Sequence, residues 1–324
     1  MNTQKVAFIT GITGQDGAYL SKLLLEHNYK VVGLLRSAHD IKTAGLDYLG
    51  ITSQIVFEVC DLLDLSNIIN IINKHKPSEI YNLASQSSVG ESFKHPIGTL
   101  TFNIISVANL LESINITDKK IKFYQASSSE MFGSANQLPF IEQSIFHPVS
   151  PYGISKASAH WITVNYRESF GLFTTSGILF NHESVLRGNQ FIIKKVIRTA
   201  LKIKKGTEDI LEVGNIDIKR DFGYAPKYVE AMYLMMQHDI PDDYIIASGH
   251  SLTIREIIYY IFDKLGISQD RIKVNEAFFR PNEIEDIYGD ASKAKEQLNW
   301  DYEMSFFEVL DILIEDELKI QENK

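Results

Sequence analysis

Three glycines, each three residues after the last, constrain the fold more than any other feature of this sequence. Gly11, Gly14 and Gly17 stand between an apolar run at residues 6–10, which predicts a strand, and a helical run that begins at Ala18. Glycines at this spacing allow a tight turn, close approach of the backbone to a pyrophosphate, and close packing of helix on strand. The motif therefore predicts dinucleotide binding rather than a purely structural turn. The predicted cofactor contacts in this turn are Gly11, Thr13, Gly14, Gln15, Asp16 and Gly17.

Short β-branched or aromatic runs alternate with helical patterns along the chain. Strands are predicted at residues 6–10, 31–35, 55–59, 79–84, 121–126, 174–179 and 244–247, and later helices at 191–202, 226–237, 254–265 and 306–318. This alternation predicts right-handed βαβ units. The fold class is therefore α/β, a doubly wound parallel (Rossmann) sheet with a smaller, mainly helical C-terminal substrate lobe. We expect the dinucleotide-binding domain to comprise residues 1–180 and 217–250, and the lobe to comprise residues 181–216 and 251–324, with a loop at 181–189.

Composition excludes several classes of protein. The 324 residues carry 32 basic and 41 acidic side chains, a formal net charge of -9, which disfavours a nucleic-acid partner. Cys60 is the single cysteine, so an internal disulfide or a multi-thiolate metal site is excluded, and no metal site is predicted. Residues 1–9 contain no signal-like apolar region, and we expect no apolar stretch of membrane-spanning length. These features predict a cytoplasmic protein with no membrane partner.

The residues that follow the second, third and fourth predicted strands indicate which cofactor binds. An acidic residue after the second strand would bind the ribose 2′-hydroxyl of NAD, but Arg36 and Ser37 stand there instead and suit a 2′-phosphate. NADP is therefore predicted, the alternative being a solvated surface arginine. Asp61 and Leu62 are predicted to contact the adenine, and Leu83, Ala84 and Ser85 to line the cofactor cleft. Apolar residues at strand ends are, however, often simply part of the core.

Tyr152 and Lys156 are four residues apart, a spacing that on a helix places the phenol and the ammonium group on one face. Lys156 would then lower the phenol pKa from about 10 towards working pH, so that Tyr152 serves as general base for an alcohol undergoing oxidation. The chain has 15 tyrosines, so the alternative is a chance pair at the start of an amphipathic helix.

Ser128 and Glu130 lie where the fifth predicted strand leaves the sheet at its carboxyl edge. The serine hydroxyl can bind the same substrate oxygen as Tyr152, while the carboxylate can reach a neighbouring carbon. Oxidation of a sugar C4 hydroxyl to a ketone acidifies the C5 hydrogen, and a carboxylate can then remove that proton with loss of the C6 hydroxyl. The alternative is a polar turn with a solvated glutamate.

Together these motifs resemble those of the extended short-chain dehydrogenase/reductases, specifically the GDP-mannose 4,6-dehydratase family. The resemblance covers nearly the whole chain, and its most specific blocks are residues 161–169 and 180–184. It implies an NADP-dependent hydro-lyase that converts GDP-mannose to GDP-4-keto-6-deoxymannose, with tightly bound NADP recycled within the reaction. The implied catalytic residues are Ser128, Glu130, Tyr152 and Lys156, which also makes Tyr152 and Lys156 cofactor contacts. The implied GDP-sugar contacts are Ser85, Asn181, Arg187, Lys195, Arg220, Arg280 and Glu283.

The resemblance further implies a homodimer, or a homotetramer, built from helices of the Rossmann domain. Three alternatives to the main interpretation stay open. A GDP-manno-heptose 4,6-dehydratase would share almost every motif, because only the sugar changes. A sugar-nucleotide 4-epimerase or reductase would need Tyr152 and Lys156 but no base for C5, so Glu130 argues against it. A catalytically silent dinucleotide-binding sensor would have no need of all four catalytic residues.

Overall fold

Seven parallel strands form the central sheet of the computed structural model, which describes residues 4–37, 41–134 and 137–322. They are β1 (Val6–Thr10), β2 (Lys30–Leu35), β3 (Val56–Val59), β4 (Glu79–Asn82), β5 (Lys122–Ser128), β6 (Thr174–Leu179) and β10 (Asp243–Ile246). Their order across the sheet is β10-β6-β5-β4-β1-β2-β3. The order reverses at β1, and such a switch point opens a crevice at the carboxyl ends of the strands.

Eleven α-helices flank the strands in the described residues. They are α1 (Gln15–Glu26), α2 (Ala44–Tyr48), α3 (Leu65–His75), α4 (Val89–Lys94), α5 (Pro96–Thr117), α6 (Pro151–Phe170), α7 (Ile192–Lys204), α8 (Ala225–Gln237), α9 (Ile254–Leu265), α10 (Ser292–Leu298) and α11 (Phe306–Glu322). Helices α1 and α8 pack on one face of the sheet, while α3, α5 and α6 cover the other.

Strand β1 shows why both faces of the sheet are covered. Successive side chains of a strand point to opposite faces, and every one of the last four β1 residues is buried. Ala7 and Ile9 belong to the cluster that contains α1 and α8, whereas Phe8 belongs to the cluster that contains α3 and α5. Burial on both faces is the property of a parallel sheet between two helical layers. The doubly wound α/β class is confirmed.

The C-terminal half adds two small sheets to the predicted helices. A three-stranded sheet has the order β11-β9-β7, with β7 at Asn181–Glu183, β9 at Lys219–Tyr224 and β11 at Ser251–Thr253, and a second sheet pairs β8 (Leu211–Val213) with β12 (Ile272–Val274). Helices α7, α9 and α11 pack with these strands around a separate apolar cluster, whereas α10 packs with α8. The loop prediction at 181–189 was therefore wrong for Asn181–Glu183. The division into residues 1–180 with 217–250 and 181–216 with 251–324 stays a prediction.

Helix α5 corrects the expectation that no apolar stretch has membrane-spanning length. By length and composition it could cross a membrane, and it is the single such helix in the described ranges. In the structure α5 packs against α3 and α6, and Leu110, Leu111 and Ile114 are buried. Its buried Asn103 donates a hydrogen bond to Ser155 Oγ at 2.9 Å. One side of α5 therefore packs as a core helix, while Ile97, Ile105 and Ile116 on it are exposed.

Candidate active site

A cavity of about 1510 Å³ opens between the carboxyl edge of the sheet and the C-terminal lobe. Most of the residues singled out in the sequence line it: Gly11, Thr13, Gly14, Gln15, Asp16, Gly17, Arg36, Leu83, Ala84, Ser85, Ser128, Glu130, Tyr152, Lys156, Asn181, Arg187, Lys195, Arg220, Arg280 and Glu283. Its volume exceeds the usual range of about 300–1,000 Å³ for one drug-sized ligand, so it can hold two extended ligands side by side.

The glycine turn holds the first helix against the first strand. Gly11 has a φ of +68°, and its carbonyl accepts a hydrogen bond from Gly14 N at 2.9 Å. A Cβ at Gly17 would lie 2.5 Å from Gly11 O, so a larger residue cannot occupy that position without displacing the backbone. The N-terminus of α1 consequently faces the cavity, where its free N–H groups attract an anion.

Two contacts, one buried and one partly buried, join this turn to the segment after β6. His182 Nε2 lies 3.0 Å from both Asp16 carboxylate oxygens, and Ser184 Oγ donates to Gln15 Oε1 at 2.7 Å. Burial opposes ionisation of Asp16, but the charge and hydrogen bond of His182 bring the pKa of that carboxyl below its ordinary value. The two sides of the cavity are therefore fixed relative to each other at this point.

Tyr152 and Lys156 occupy the first two turns of α6. Ser150 caps this helix, its Oγ accepting a hydrogen bond from Gly153 N at 3.0 Å, and Pro151 begins it. Lys156 Nζ donates to Ala126 O at 2.7 Å and lies 5.8 Å from the centre of the Tyr152 ring. The predicted placement of phenol and ammonium group on one helix face is what the structure shows.

The electrostatic effect predicted for this pair differs from the one found. Burial raises the pKa of Tyr152 to about 12, an effect that the Ser128 hydroxyl partly offsets. Burial also lowers the pKa of Lys156 itself to about 8, against the opposing charge of Asp16. The expectation of a phenol pKa near working pH was thus wrong for this structure, because desolvation raises that pKa.

Ser128 and Glu130 complete the group at the end of β5. Ser128 is buried, and its Oγ accepts a hydrogen bond from Glu130 N at 3.3 Å, which starts a short 3₁₀ turn. This turn places the carboxylate in the cavity beside the phenol, and the charge of Glu130 acts on the Tyr152 pKa. A hydroxyl, a phenol, an ammonium group and a carboxylate therefore converge on one volume, enough for oxidation of an alcohol and removal of a neighbouring proton.

Arg220 presents an unsatisfied donor to the cavity. Its Nη1 donates to Lys219 O and Ile284 O, both at 2.7 Å, while Nη2 is buried and has no hydrogen-bond partner within the described residues. Glu283 likewise has a buried, unpartnered oxygen, Oε2. Buried polar atoms normally have partners, so these two groups are suited to a polar ligand that supplies them.

Two further cationic side chains line the end of the cavity that contains Arg220 and Glu283. Arg187 stacks on the Phe191 ring at 3.6 Å, with Nε 3.4 Å from Glu183 Oε1. Lys195 Nζ donates to Glu212 O at 2.7 Å. The arginine is thus held flat against an aromatic ring with much of its planar edge free for phosphate oxygens.

A family model described as GDP-mannose 4,6 dehydratase matches residues 8–313 of this chain. GDP-mannose 4,6 dehydratase 1 of Arabidopsis thaliana is 42% identical over 328 residues, which cover 98% of this chain and 91% of that protein. GDP-mannose 4,6 dehydratase of Homo sapiens is 37% identical over 343 residues, which cover 98% of this chain and 92% of that protein. The chain belongs to the GDP-mannose 4,6-dehydratase family. The resemblance seen in the sequence is confirmed.

Solved structures show the same architecture for this family member. The dTDP-glucose 4,6-dehydratase of Bacillus anthracis, determined in complex with NAD, superposes with a TM-score of 0.86 at 20% identity and covers 98% of each chain. At that identity the likeness shows the fold, and it agrees with the doubly wound sheet described above.

Three predicted cofactor contacts of this family member do not line the cavity. Asp61 forms a turn, accepting from Leu63 N at 3.0 Å, and Leu62 is buried in the core behind it. Ser37 is exposed directly after Arg36. Leu63 lines the cavity instead of the two residues that precede it. The reason is local: the turn after β3 directs the residue that follows Leu62, rather than the strand end itself, towards the cavity.

Sequence reasoning also missed residues that line this site. Lys42 lines the cofactor end of the cavity together with Arg36. The sequence signal that could have identified Lys42 is its position shortly after Arg36, as a second basic residue. Phe191 had no such signal, because its contact with Arg187 is made only in the folded chain. No cluster of three or more histidine, cysteine or acidic side chains suited to a metal ion is present in residues 4–37, 41–134 and 137–322.

Proposed function

We propose that this protein is an NADP-dependent hydro-lyase that converts GDP-mannose to GDP-4-keto-6-deoxymannose. The observation that carries the proposal is the carboxylate of Glu130 in the cavity that also contains Ser128, Tyr152 and Lys156. A 4-epimerase or a reductase needs the phenol and the ammonium group, but it has no use for a base next to C5. A dehydratase needs all of them.

Each catalytic side chain has a role in this reaction. Tyr152 takes the proton of the C4 hydroxyl, while Ser128 donates a hydrogen bond to the same oxygen. Glu130 removes the C5 proton from the 4-ketone, then supplies a proton to the departing C6 hydroxyl, which leaves as water. At the end of the cycle C5 takes up one proton, which balances the proton that Tyr152 removed from the C4 hydroxyl. Lys156, held by Ala126 O, keeps a positive charge close to the phenol.

The glycine turn and the end of β2 would hold the cofactor. The pyrophosphate would lie at the N-terminus of α1, with Arg36 and Lys42 available to a 2′-phosphate. When bound, an oxidised nicotinamide would supply a hydride acceptor for C4 oxidation and a positive charge that favours the Tyr152 phenolate. Two basic residues at that end of the cavity support NADP over NAD. The NAD bound to the solved dTDP-glucose 4,6-dehydratase supports a nicotinamide cofactor in general.

The opposite end of the cavity would hold the GDP portion of the substrate. Arg220 Nη2 and the Arg187 guanidinium suit the diphosphate oxygens, and the unpartnered Glu283 Oε2 suits the amino edge of guanine or a ribose hydroxyl. Lys195, Asn181 and Arg280 line the same end. The names of the Arabidopsis and human relatives support GDP-mannose as the sugar nucleotide.

We further propose a homodimer or homotetramer that works in the cytoplasm. Helices α5 and α6 pack together and leave Ile105, Ile154 and Trp161 exposed, the last at 59%. An apolar face of this kind on adjacent helices suits a second copy of the chain. The single buried thiol of Cys60 suits a reducing compartment.

The test is to incubate the purified protein with NADP and GDP-mannose, and separately with a GDP-manno-heptose, and to follow loss of one water by mass spectrometry. We expect loss of water from GDP-mannose. Loss from the heptose alone would transfer the proposal to that sugar. An inverted C4 centre, or no change in either sugar, would contradict the dehydratase assignment.

A further inference from the structure

A buried carboxylate on the last helix joins α11 to α7. Glu317 is 1% exposed, and its two oxygens accept hydrogen bonds from Lys194 Nζ and from Arg198 Nε, the latter at 2.6 Å. Burial opposes its ionisation, but the two hydrogen bonds lower the pKa of Glu317, so the group is an anion with two cations. A buried carboxylate with two charged donors is costly to disrupt, because loss of its charge leaves both cations unpaired.

Lys194 and Arg198 each donate a further hydrogen bond to segment 184–189, so both side chains link Glu317 to that segment. Lys194, which is itself buried, donates to Val185 O at 2.8 Å. Arg198 Nη1 donates to Asn189 Oδ1 at 2.6 Å. The carboxylate therefore acts on the segment near each of its ends, although it lies more than a hundred residues away in the sequence.

Segment 184–189 carries Arg187 into the cavity. Arg187 N donates to Ser184 O at 3.0 Å, and its guanidinium lies over the Phe191 ring. The first end of this segment is also bound to the cofactor side of the cavity, by the hydrogen bond from Ser184 to Gln15. The far end, by contrast, is anchored by the hydrogen bond between Asn189 and Arg198. The Glu317 group therefore anchors the stretch of chain from which Arg187 extends.

We propose that Glu317 is a positioning residue for the sugar-nucleotide substrate: through Lys194 and Arg198 it holds segment 184–189 so that Arg187 meets the diphosphate. The identity of that ligand rests on the proposed function. Glu317 touches neither ligand, since it is not among the residues that line the cavity. The C-terminal helix thus belongs to the substrate site in effect, although it contributes no contact to it.

The test compares the wild type with Glu317→Gln in the full-length protein. The amide keeps the shape of the side chain, but its NH₂ group faces a cation that can only donate. One of the two hydrogen bonds from Lys194 and Arg198 is therefore lost. Loss of binding that is equal in ground and transition states raises KM without lowering kcat. We expect KM for GDP-mannose and Kd for GDP to rise about tenfold, kcat to stay within about twofold, and Kd for NADP to stay unchanged. Hydrogen exchange of segment 184–189 should also rise.

The matched control is Glu315→Gln, because Glu315 is an exposed glutamate on the same helix. We expect it to behave as the wild type in every measurement. Asn189→Ala is the second variant: Asn189 is exposed, so this change leaves the buried group intact and removes only the tie to Arg198. It should raise Kd for GDP about threefold, and it keeps the proposal testable if Glu317→Gln unfolds.

Direct GDP binding separates this proposal from the proposed function. If wild-type protein binds GDP but does not dehydrate GDP-mannose, the proposed reaction fails and the GDP and hydrogen-exchange results still decide the role of Glu317. If Glu317→Gln and Asn189→Ala both bind GDP as the wild type does, the positioning role is overturned. A parallel fall of kcat, NADP affinity and GDP affinity in Glu317→Gln, with Asn189→Ala unchanged, would also overturn it in favour of a purely structural role. Wild-type protein that binds no GDP overturns both proposals.

Discussion

Glu130 is the side chain whose replacement should separate the two halves of the proposed reaction. Glu130→Gln keeps the volume of the side chain but removes the base for the C5 proton. We expect C4 oxidation to continue and dehydration to slow by about 100- to 10,000-fold, the usual contribution of a general base. Reduced cofactor should therefore accumulate on the enzyme, which rapid-mixing absorbance would detect, while mass spectrometry finds no loss of water.

Tyr152→Phe is the comparison for that experiment, because it removes the base for the earlier step. It should give neither reduced cofactor nor loss of water, although NADP still binds. If both variants fail to reduce the cofactor, the assignment of the first base to Tyr152 alone is incorrect. Full turnover by Glu130→Gln would remove that residue from the mechanism.

The pKa of Lys156 predicts how kcat depends on pH. Burial lowers its pKa to about 8, so the group is an ammonium below that pH and neutral above it. Since the proposed role needs the charge, kcat should fall as pH rises through about 8. Lys156→Arg keeps a cation at all accessible pH values, and its residual activity should lack that fall. A pH profile of kcat from about 6 to 10 tests this; the same alkaline fall in both proteins would assign it to another group.

At the scale of elements, the sequence predicts segments with a clear apolar pattern well, but it misses β9 and the shortest strands. Strands β1 and β6 and helix α9 have the predicted bounds, since each combines a clear apolar pattern with a distinct end, such as the capping box of Thr253 and Glu256 at α9. Strands β7, β8, β11 and β12 have three residues each, too few for an alternating pattern. Their pairing comes from partners distant in the sequence, which no local pattern records.

The junction between β1 and α1 provides a prediction for one element. In Gly17→Ala the added Cβ would lie 2.5 Å from Gly11 O and 2.6 Å from Ile12 Cα, so α1 must move away from the turn. We expect the free energy of unfolding to fall by about 1–3 kcal/mol and NADP affinity to fall at least about tenfold. Chemical denaturation and cofactor titration measure these two quantities.

The same substitution elsewhere is the control for Gly17→Ala. In helix α5 a Cβ at Gly98 would meet nothing within 4 Å. Gly98→Ala should therefore raise the free energy of unfolding by about 0.5–1 kcal/mol, because alanine loses less backbone entropy in a helix. If both variants have the same stability, close packing at Gly17 is not what the turn requires.

At the scale of the whole molecule, the sequence could predict the catalytic group but not how the two sides of the cavity are joined. Ser128, Glu130, Tyr152 and Lys156 lie at the end of one strand and the start of the next helix, so local patterns suffice to bring them together. The contacts that set the far side, such as Asp16 with His182, connect residues 166 positions apart. Pairings of this kind depend on how the lobe docks on the sheet, which periodicity and spacing do not encode.

The Asp16–His182 pair predicts that cofactor and substrate binding depend on each other. Asp16→Asn removes the charge that His182 faces at 3.0 Å. We expect the free energy of unfolding to fall by about 1–3 kcal/mol, and Kd to rise for both NADP and GDP, because the pair joins α1 to β7. The exposed Asp47→Asn in α2 is the control and should bind both ligands as the wild type does.

The pH dependence of the free energy of unfolding gives an independent measure of how much the Asp16–His182 pair stabilises the fold. His182 lowers the pKa of Asp16 in the folded state despite burial, so the stabilisation is complete above the unfolded pKa of about 3.9 and is lost as pH falls through the lower folded value. The difference in free energy of unfolding between wild type and Asp16→Asn should therefore shrink below about pH 4. A difference that is constant with pH, or a variant in which only NADP binding weakens, would show that the Asp16–His182 contact does not couple the two sides of the cavity.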